Sequence, residues 1–201
     1  MSDQASHQAP PRPGPALPRR GNALARGFFS ACLRIAGWRI EGELPNTGKI
    51  VVVAAPHTSN WDFVVGIACV FVLGIKFHWM GKHTLFRPPF GGVMRWLGGL
   101  AIDRTAAHGA VEQVAEEFDK RKQLLLVVTP EGTRSKVERW KTGFWHIAHR
   151  AEVPILLAGI DYGRKRLLFG PLMHPGESLE DDMATIQAHY RGMTPRRPEL
   201  F

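Results

Sequence analysis

The chain has 201 residues, 44% of them apolar and six of them Trp, with a formal net charge of +8. That is long enough for one domain with a sizeable core, and the charge favours anionic partners: nucleic acid, an anionic bilayer or a phosphorylated substrate. Two cysteines, Cys32 and Cys69, both in apolar stretches, make neither a disulfide framework nor a zinc site and read as buried thiols of a reducing compartment.

Residues 1–21 carry Pro10, Pro11, Pro13, Pro15 and Pro18 with Arg12, Arg19 and Arg20. Lacking the apolar segment of a signal peptide, they read as a disordered basic tail. Residues 22–37 read as a short amphipathic helix. Asn22 is its candidate cap, Leu24, Phe28, Ala31, Cys32 and Ile35 recur at helical spacing, and Arg26 and Arg34 flank them. Such a helix either packs on the domain or lies in a membrane interface. Residues 38–201 form the main domain. Its strands are expected at 38–42, 50–55, 77–80, 101–102, 124–128, 155–160 and 167–169, and its helices at 62–73, 93–97, 107–120, 141–151 and 179–190, with Asn60 a candidate cap. The longest uncharged apolar run, Phe63 to Ile75, falls short of the ~20 residues of a membrane span. Alternating strands and helices, with strands as apolar as Ile50–Ala55 and Leu124–Val128, define an α/β fold: a single domain with a mostly parallel central sheet flanked by helices.

Chemistry in such sheets collects in the loops at the carboxyl ends of strands. Two polar clusters fall there, Pro56-His57-Thr58-Ser59-Asn60 and Thr129-Pro130-Glu131-Gly132-Thr133-Arg134-Ser135. His57 and Asp62 would sit about 140° apart on one helix. They can meet if His57 is in the turn and Asp62 in the first helical turn. Asp62 would then hold one ring nitrogen and leave the other to act as a base. The bland alternative is a surface histidine and a capping carboxylate. No Ser or Cys stands beside His57 in a nucleophile context, which points to a substrate hydroxyl attacking an already activated acyl group. Glu131 either orients an acceptor hydroxyl or locks Arg134, whose planar fork suits phosphate, and Gly132 lets a backbone approach closely. Lys82 and Arg104 are further phosphate candidates, or plain surface charges. Val153-Pro154-Ile155 reads as core, and Arg164-Lys165-Arg166 as a hairpin tip, solvated or against anionic lipid.

Together these segments resemble the lysophosphatidic-acid acyltransferase family, the glycerolipid acyltransferases with a His-x4-Asp motif. His57 to Asp62 resembles the first motif, Gly81-Lys82 through Ile102-Asp103-Arg104 the second, Pro130 to Ser135 the third and Val153-Pro154-Ile155 the fourth. The resemblance implies a sheet flanked by helices and transfer of a fatty acyl group from acyl-CoA or acyl carrier protein to a lyso-lipid hydroxyl. It places this at the cytoplasmic membrane face, with acyl-CoA or acyl carrier protein thioester as co-substrate; the charge suits peripheral contact with an anionic membrane, no cofactor or metal is expected, and basic residues scattered without interleaved aromatics argue against nucleic acid. It implies His57 as general base, Asp62 as its partner, and Arg104, Glu131, Gly132, Thr133 and Arg134, with Lys82, as the acceptor site. Two departures bear on the acceptor: Pro56 stands where the family often has Asn, and Lys82-His83 where it often has Lys-Glu. Two rival readings use the same residues differently: a lipid ester or thioester hydrolase, and a non-catalytic protein binding anionic lipid.

Overall fold

The computed structural model describes residues 9–102 and 109–201. Within them seven strands, β1 (Arg39–Gly42), β2 (Lys49–Ala55), β3 (His78–Lys82), β4 (Gly99–Ile102), β5 (Leu124–Val128), β6 (Ile155–Asp161) and β7 (Arg166–Met173), form one sheet in the order β1-β7-β6-β2-β5-β3-β4. Every pairing of these strands is parallel except the β6–β7 hairpin. The expected α/β architecture is therefore present.

Strand alternation sends Val51, Val53 and Ala55 to one face and Ile50 and Val52 to the other. Each set enters a separate core cluster. Helices cover both faces, as a parallel sheet of apolar strands requires. The first cluster is roofed by α4 (Ala110–Lys120), α5 (Gly143–Arg150) and α6 (Leu179–Tyr190). There the buried Tyr190 donates its hydroxyl to Val53 O at 2.7 Å. The second is roofed by α2 (Asn60–Leu73), on which α1 (Ala23–Ile35) rests through Leu33 and a stacked Phe29–Phe71 pair. The short α3 (Gly91–Trp96) lies beside β4.

Three expectations change. The basic tail is not loose along its described part: Leu17 is buried in the second cluster, Lys76 N donates to Pro18 O, and Arg20 N donates to Gly74 O. One leucine and a run of backbone bonds outweigh a composition typical of disorder. Cys69 is buried as expected but Cys32 is exposed, because α1 buries Leu33 and turns Leu24, Phe28 and Ile35 outward. At the hairpin tip Arg166 is not free for lipid; it pairs with buried Asp161 and with Glu41.

Candidate active site

The β2–β5 register pairs Val53 with Val128, and β2–β6 pairs Ala55 with Gly159. Three adjacent strands thus end level, and the segments leaving them meet. After β2 the cis Ala55–Pro56 bond leads into the His57 turn, and Ser59 opens α2 as its N-cap. Asn60 is not the cap. Ser59 has the extended backbone of a cap, and its hydroxyl accepts from Trp61 N.

Asp62 does two jobs. Its Oδ2 accepts the Thr58 and Ser59 amides, each at 2.8 Å, closing the capping box, and also lies 3.2 Å from His57 Nδ1. Its Oδ1 accepts the Tyr162 hydroxyl at 2.8 Å. The rival readings of this carboxylate, cap or histidine partner, are both true. Burial opposes its charge, yet hydrogen bonds from His57, Tyr162, Ser59 and Thr58 outweigh it and hold the carboxyl below its usual range. With Nδ1 turned to Asp62, His57 Nε2 has no hydrogen-bond partner among the described residues, and the side chain keeps 20% exposure.

Glu131, from the loop after β5, is 4% exposed and accepts the His57 backbone amide on Oε1 at 2.9 Å. It therefore supports the His57 turn rather than locking Arg134, whose guanidinium bonds the Asn60 side chain. Burial raises the Glu131 pKa to about 7, against weaker opposing hydrogen bonds. Its Oε2 is buried without a partner among the described residues. A folded-state pKa above the unfolded one means that stability is lost as pH rises from about 4.5 through about 7. The full penalty is on the order of 3 kcal/mol. Glu131→Gln keeps an acceptor for the His57 amide and carries no charge. Urea unfolding at pH 5 and pH 8 should therefore show a smaller loss of stability for the variant than for the natural protein; equal losses would contradict a buried carboxyl.

Gly132 sits at φ 64°, a left-handed conformation that favours glycine, with the flexible end of the Lys141 side chain 2.8 Å from where a Cβ would be. The Thr133 hydroxyl accepts the Ser135 amide. Lys82 ends β3, exposed on the same sheet edge. Arg104 lies outside the described residues. Sequence reasoning missed Tyr162, which no local spacing links to Asp62, and Lys141, which looked like a helix start.

An apolar cavity of about 650 Å³ is lined by His57, Gly132 and Lys141, by Phe63, Gly66 and Phe77 on the α2 side of the sheet, and by Val111, Phe144 and Ile147 on the other. Small residues make the room: Ala54 and Ala158 on the sheet, and Gly66 on α2, where an added Cβ would meet nothing within 4 Å. Its size is that of a small-molecule site. No group of His, Cys, Asp and Glu among the described residues could hold a metal.

A histidine–aspartate pair lining an apolar cavity, at the edge of a mostly parallel sheet covered on both faces, is a layout suited to an enzyme site. The family model for Acyltransferase matches residues 38–160, and the chain belongs to that family. It is 33% identical over 139 residues to the 1-acyl-sn-glycerol-3-phosphate acyltransferase of Escherichia coli (strain K12), covering 64% of this chain and 55% of that one. Against the enzyme of the same name from Limnanthes douglasii it is 29% identical over 125 residues, 59% of this chain and 43% of that one. The chain spans about half the length of these relatives. The crystal structure of the 1-acyl-sn-glycerophosphate (LPA) acyltransferase PlsC from Thermotoga maritima superposes with a TM-score of 0.60 at 21% identity, over 84% of this chain and 76% of that one, which supports the fold.

Proposed function

We propose that the protein transfers a fatty acyl group from a thioester, acyl-CoA or acyl carrier protein, to the hydroxyl of a lysophosphatidate-like acceptor. The observation that carries this reading is His57 held through Nδ1 by buried Asp62 while the same histidine lines the apolar cavity. In the reaction, Nε2 takes the proton from the acceptor hydroxyl as its oxygen attacks the thioester carbonyl. The carbon–sulfur bond then breaks and the imidazolium returns the proton to the leaving thiolate. Asp62 fixes the tautomer and stabilises the imidazolium. The amides of residues 57–59 all donate to Glu131 or Asp62, so donors for the tetrahedral oxyanion come from elsewhere. The cavity holds the acyl chain.

Arg134, fastened to Asn60 three residues past His57, offers its remaining N–H groups to the acceptor phosphate. Arg134→Ala is expected to raise the acceptor KM roughly tenfold with a smaller effect on kcat, since one charged hydrogen bond is removed; steady-state kinetics with lysophosphatidate check this, and an unchanged KM would remove Arg134 from the acceptor site.

Peripheral contact with an anionic membrane fits the outward face of the α1–α2 pair. On α1 Leu24 and Ile35 are each 85% exposed and Phe28 is exposed too, with Arg26 and Arg34 on the same helix, and Trp61 is exposed in the first turn of α2. No helix among the described residues is long and apolar enough to cross a membrane. The deciding experiment is thiol release from long-chain acyl-CoA and acyl carrier protein, with and without lysophosphatidate. Acceptor-dependent release supports transfer. Release without acceptor makes the protein a thioester hydrolase, and no release from either donor overturns the enzymatic reading.

A further inference from the structure

The family match ends at residue 160, yet the chain beyond it returns to the dyad. Tyr162 follows β6 and donates to Asp62. Its amide donates to Thr194 O at 2.8 Å, and Thr194 N donates to Asp161 Oδ1 at 3.3 Å. These bonds fasten the segment after α6 to the end of β6, and Pro195 within it is buried. Arg197 N then donates to the hydroxyl of Thr58, the buried neighbour of His57, at 3.2 Å. Between the two tethers Arg196 is exposed, its guanidinium carbon 5.4 Å from the Trp61 ring centroid and 5.6 Å from that of Tyr162, within reach of both aromatic faces.

A basic side chain already held by a carboxylate is less available to an anion. Arg39, Lys120, Arg121, Arg150, Arg164 and Arg166 all pair with carboxylates. Arg196 and Arg197 make no ion pair among the described residues. Two exposed guanidiniums without an ion pair among the described residues, on a segment fastened by backbone bonds to Asp161 and Thr58, with that of Arg196 set over aromatic rings, form a donor set that a phosphate can take up in a fork.

We propose that Arg196 and Arg197 are a phosphate-binding arm of the active site, supplied by the C-terminal segment in addition to Arg134. The arm takes the phosphate of a substrate whose reacting atoms lie at His57. Which substrate rests on the acyl-transfer reading; the binding itself does not. Two sources carry this chemistry: the phosphate monoester of a lyso-lipid acceptor, and the phosphates of the thioester carrier.

The test measures binding without turnover, by calorimetry on the full chain, for lysophosphatidate below its micellar concentration, uncharged monoacylglycerol and coenzyme A. The variants are the double substitution Arg196→Ala/Arg197→Ala, which keeps both backbone amides, and Arg196→Lys/Arg197→Lys. The alanine pair is expected to weaken one phosphate ligand roughly tenfold or more and leave monoacylglycerol unchanged, with the lysine pair recovering part of the loss. Weakened lysophosphatidate assigns the arm to the acceptor, and weakened coenzyme A to the donor. Unchanged affinity for both, or no binding of either by the natural protein, overturns the proposal. So does a loss confined to vesicles of phosphatidylglycerol and phosphatidylcholine, which would make these residues a membrane contact. If arginine-dependent binding persists in a protein that transfers no acyl group, the acyl-transfer reading fails and the arm stands.

Discussion

His57→Ala is expected to lower acyl transfer by ~10²–10⁴, the usual worth of a positioned general base, while the protein stays folded. The fold keeps its shape because the groups that organise the turn do not depend on the imidazole. The backbone amide of residue 57 still donates to Glu131, and Asp62 still accepts Thr58 N, Ser59 N and the Tyr162 hydroxyl. The ring is a fifth exposed and contributes one contact to a carboxylate that has three others. Thermal unfolding of the variant should therefore sit close to that of the natural protein. Turnover of acyl-CoA with lysophosphatidate should fall in kcat with the acceptor KM little changed, since the proposed phosphate contacts do not involve His57. A variant with natural turnover would remove His57 from the chemistry. A variant that unfolds would mean that the turn depends on the ring and that the activity loss says nothing about base catalysis.

Legibility in the sequence tracks the range of the interactions. The sheet was legible because β2, β5 and β6 are apolar on both faces, a pattern local to each strand. The meeting of the His57 and Glu131 turns was legible too, since parallel strands must end on one edge. The boundaries of the short helices were not. The helix expected over residues 141–151 starts at Gly143 because Lys141 N donates back to Pro130 O, a contact between distant residues. The tail misled for the same reason: its composition is that of a disordered segment, but Leu17 finds a place in a core assembled by α2 and β6. Likewise the sequence offers Glu131 either an acceptor hydroxyl or its neighbour Arg134 as a partner, whereas the fold turns it across to the segment after β2, where a backbone amide 74 residues away needs an acceptor. Tyr162 and Arg196 carry no local motif. Only the topology, which places the end of β6 beside the end of β2, brings them to Asp62 and Trp61.

Asp62→Asn and Asp62→Ala should fail in different ways, and the difference tests whether one carboxylate serves both the helix and the reaction. An asparagine oxygen can still accept the Thr58 and Ser59 amides, so the capping box survives in large part. Its amide nitrogen, however, then faces the Tyr162 hydroxyl and cannot accept from it, and a neutral amide does not stabilise the imidazolium that forms at His57. Transfer should fall by roughly 10³–10⁴ with a modest loss of stability. Alanine removes the same chemistry and in addition leaves two buried amides without acceptors, at ~1–3 kcal/mol each. Urea unfolding should accordingly separate the two variants by about 2–6 kcal/mol, although their activities are similar. The natural protein adds a pH signature. Its Asp62 carboxyl lies below an ordinary value of 3.8, so the stability it confers is present above that pH and is lost as pH falls through the folded-state value. Both variants should lack this part of the acid transition. Equal stability of Asn and Ala variants would show that the cap contributes nothing, and full activity of the Asn variant would show that Asp62 serves the helix alone.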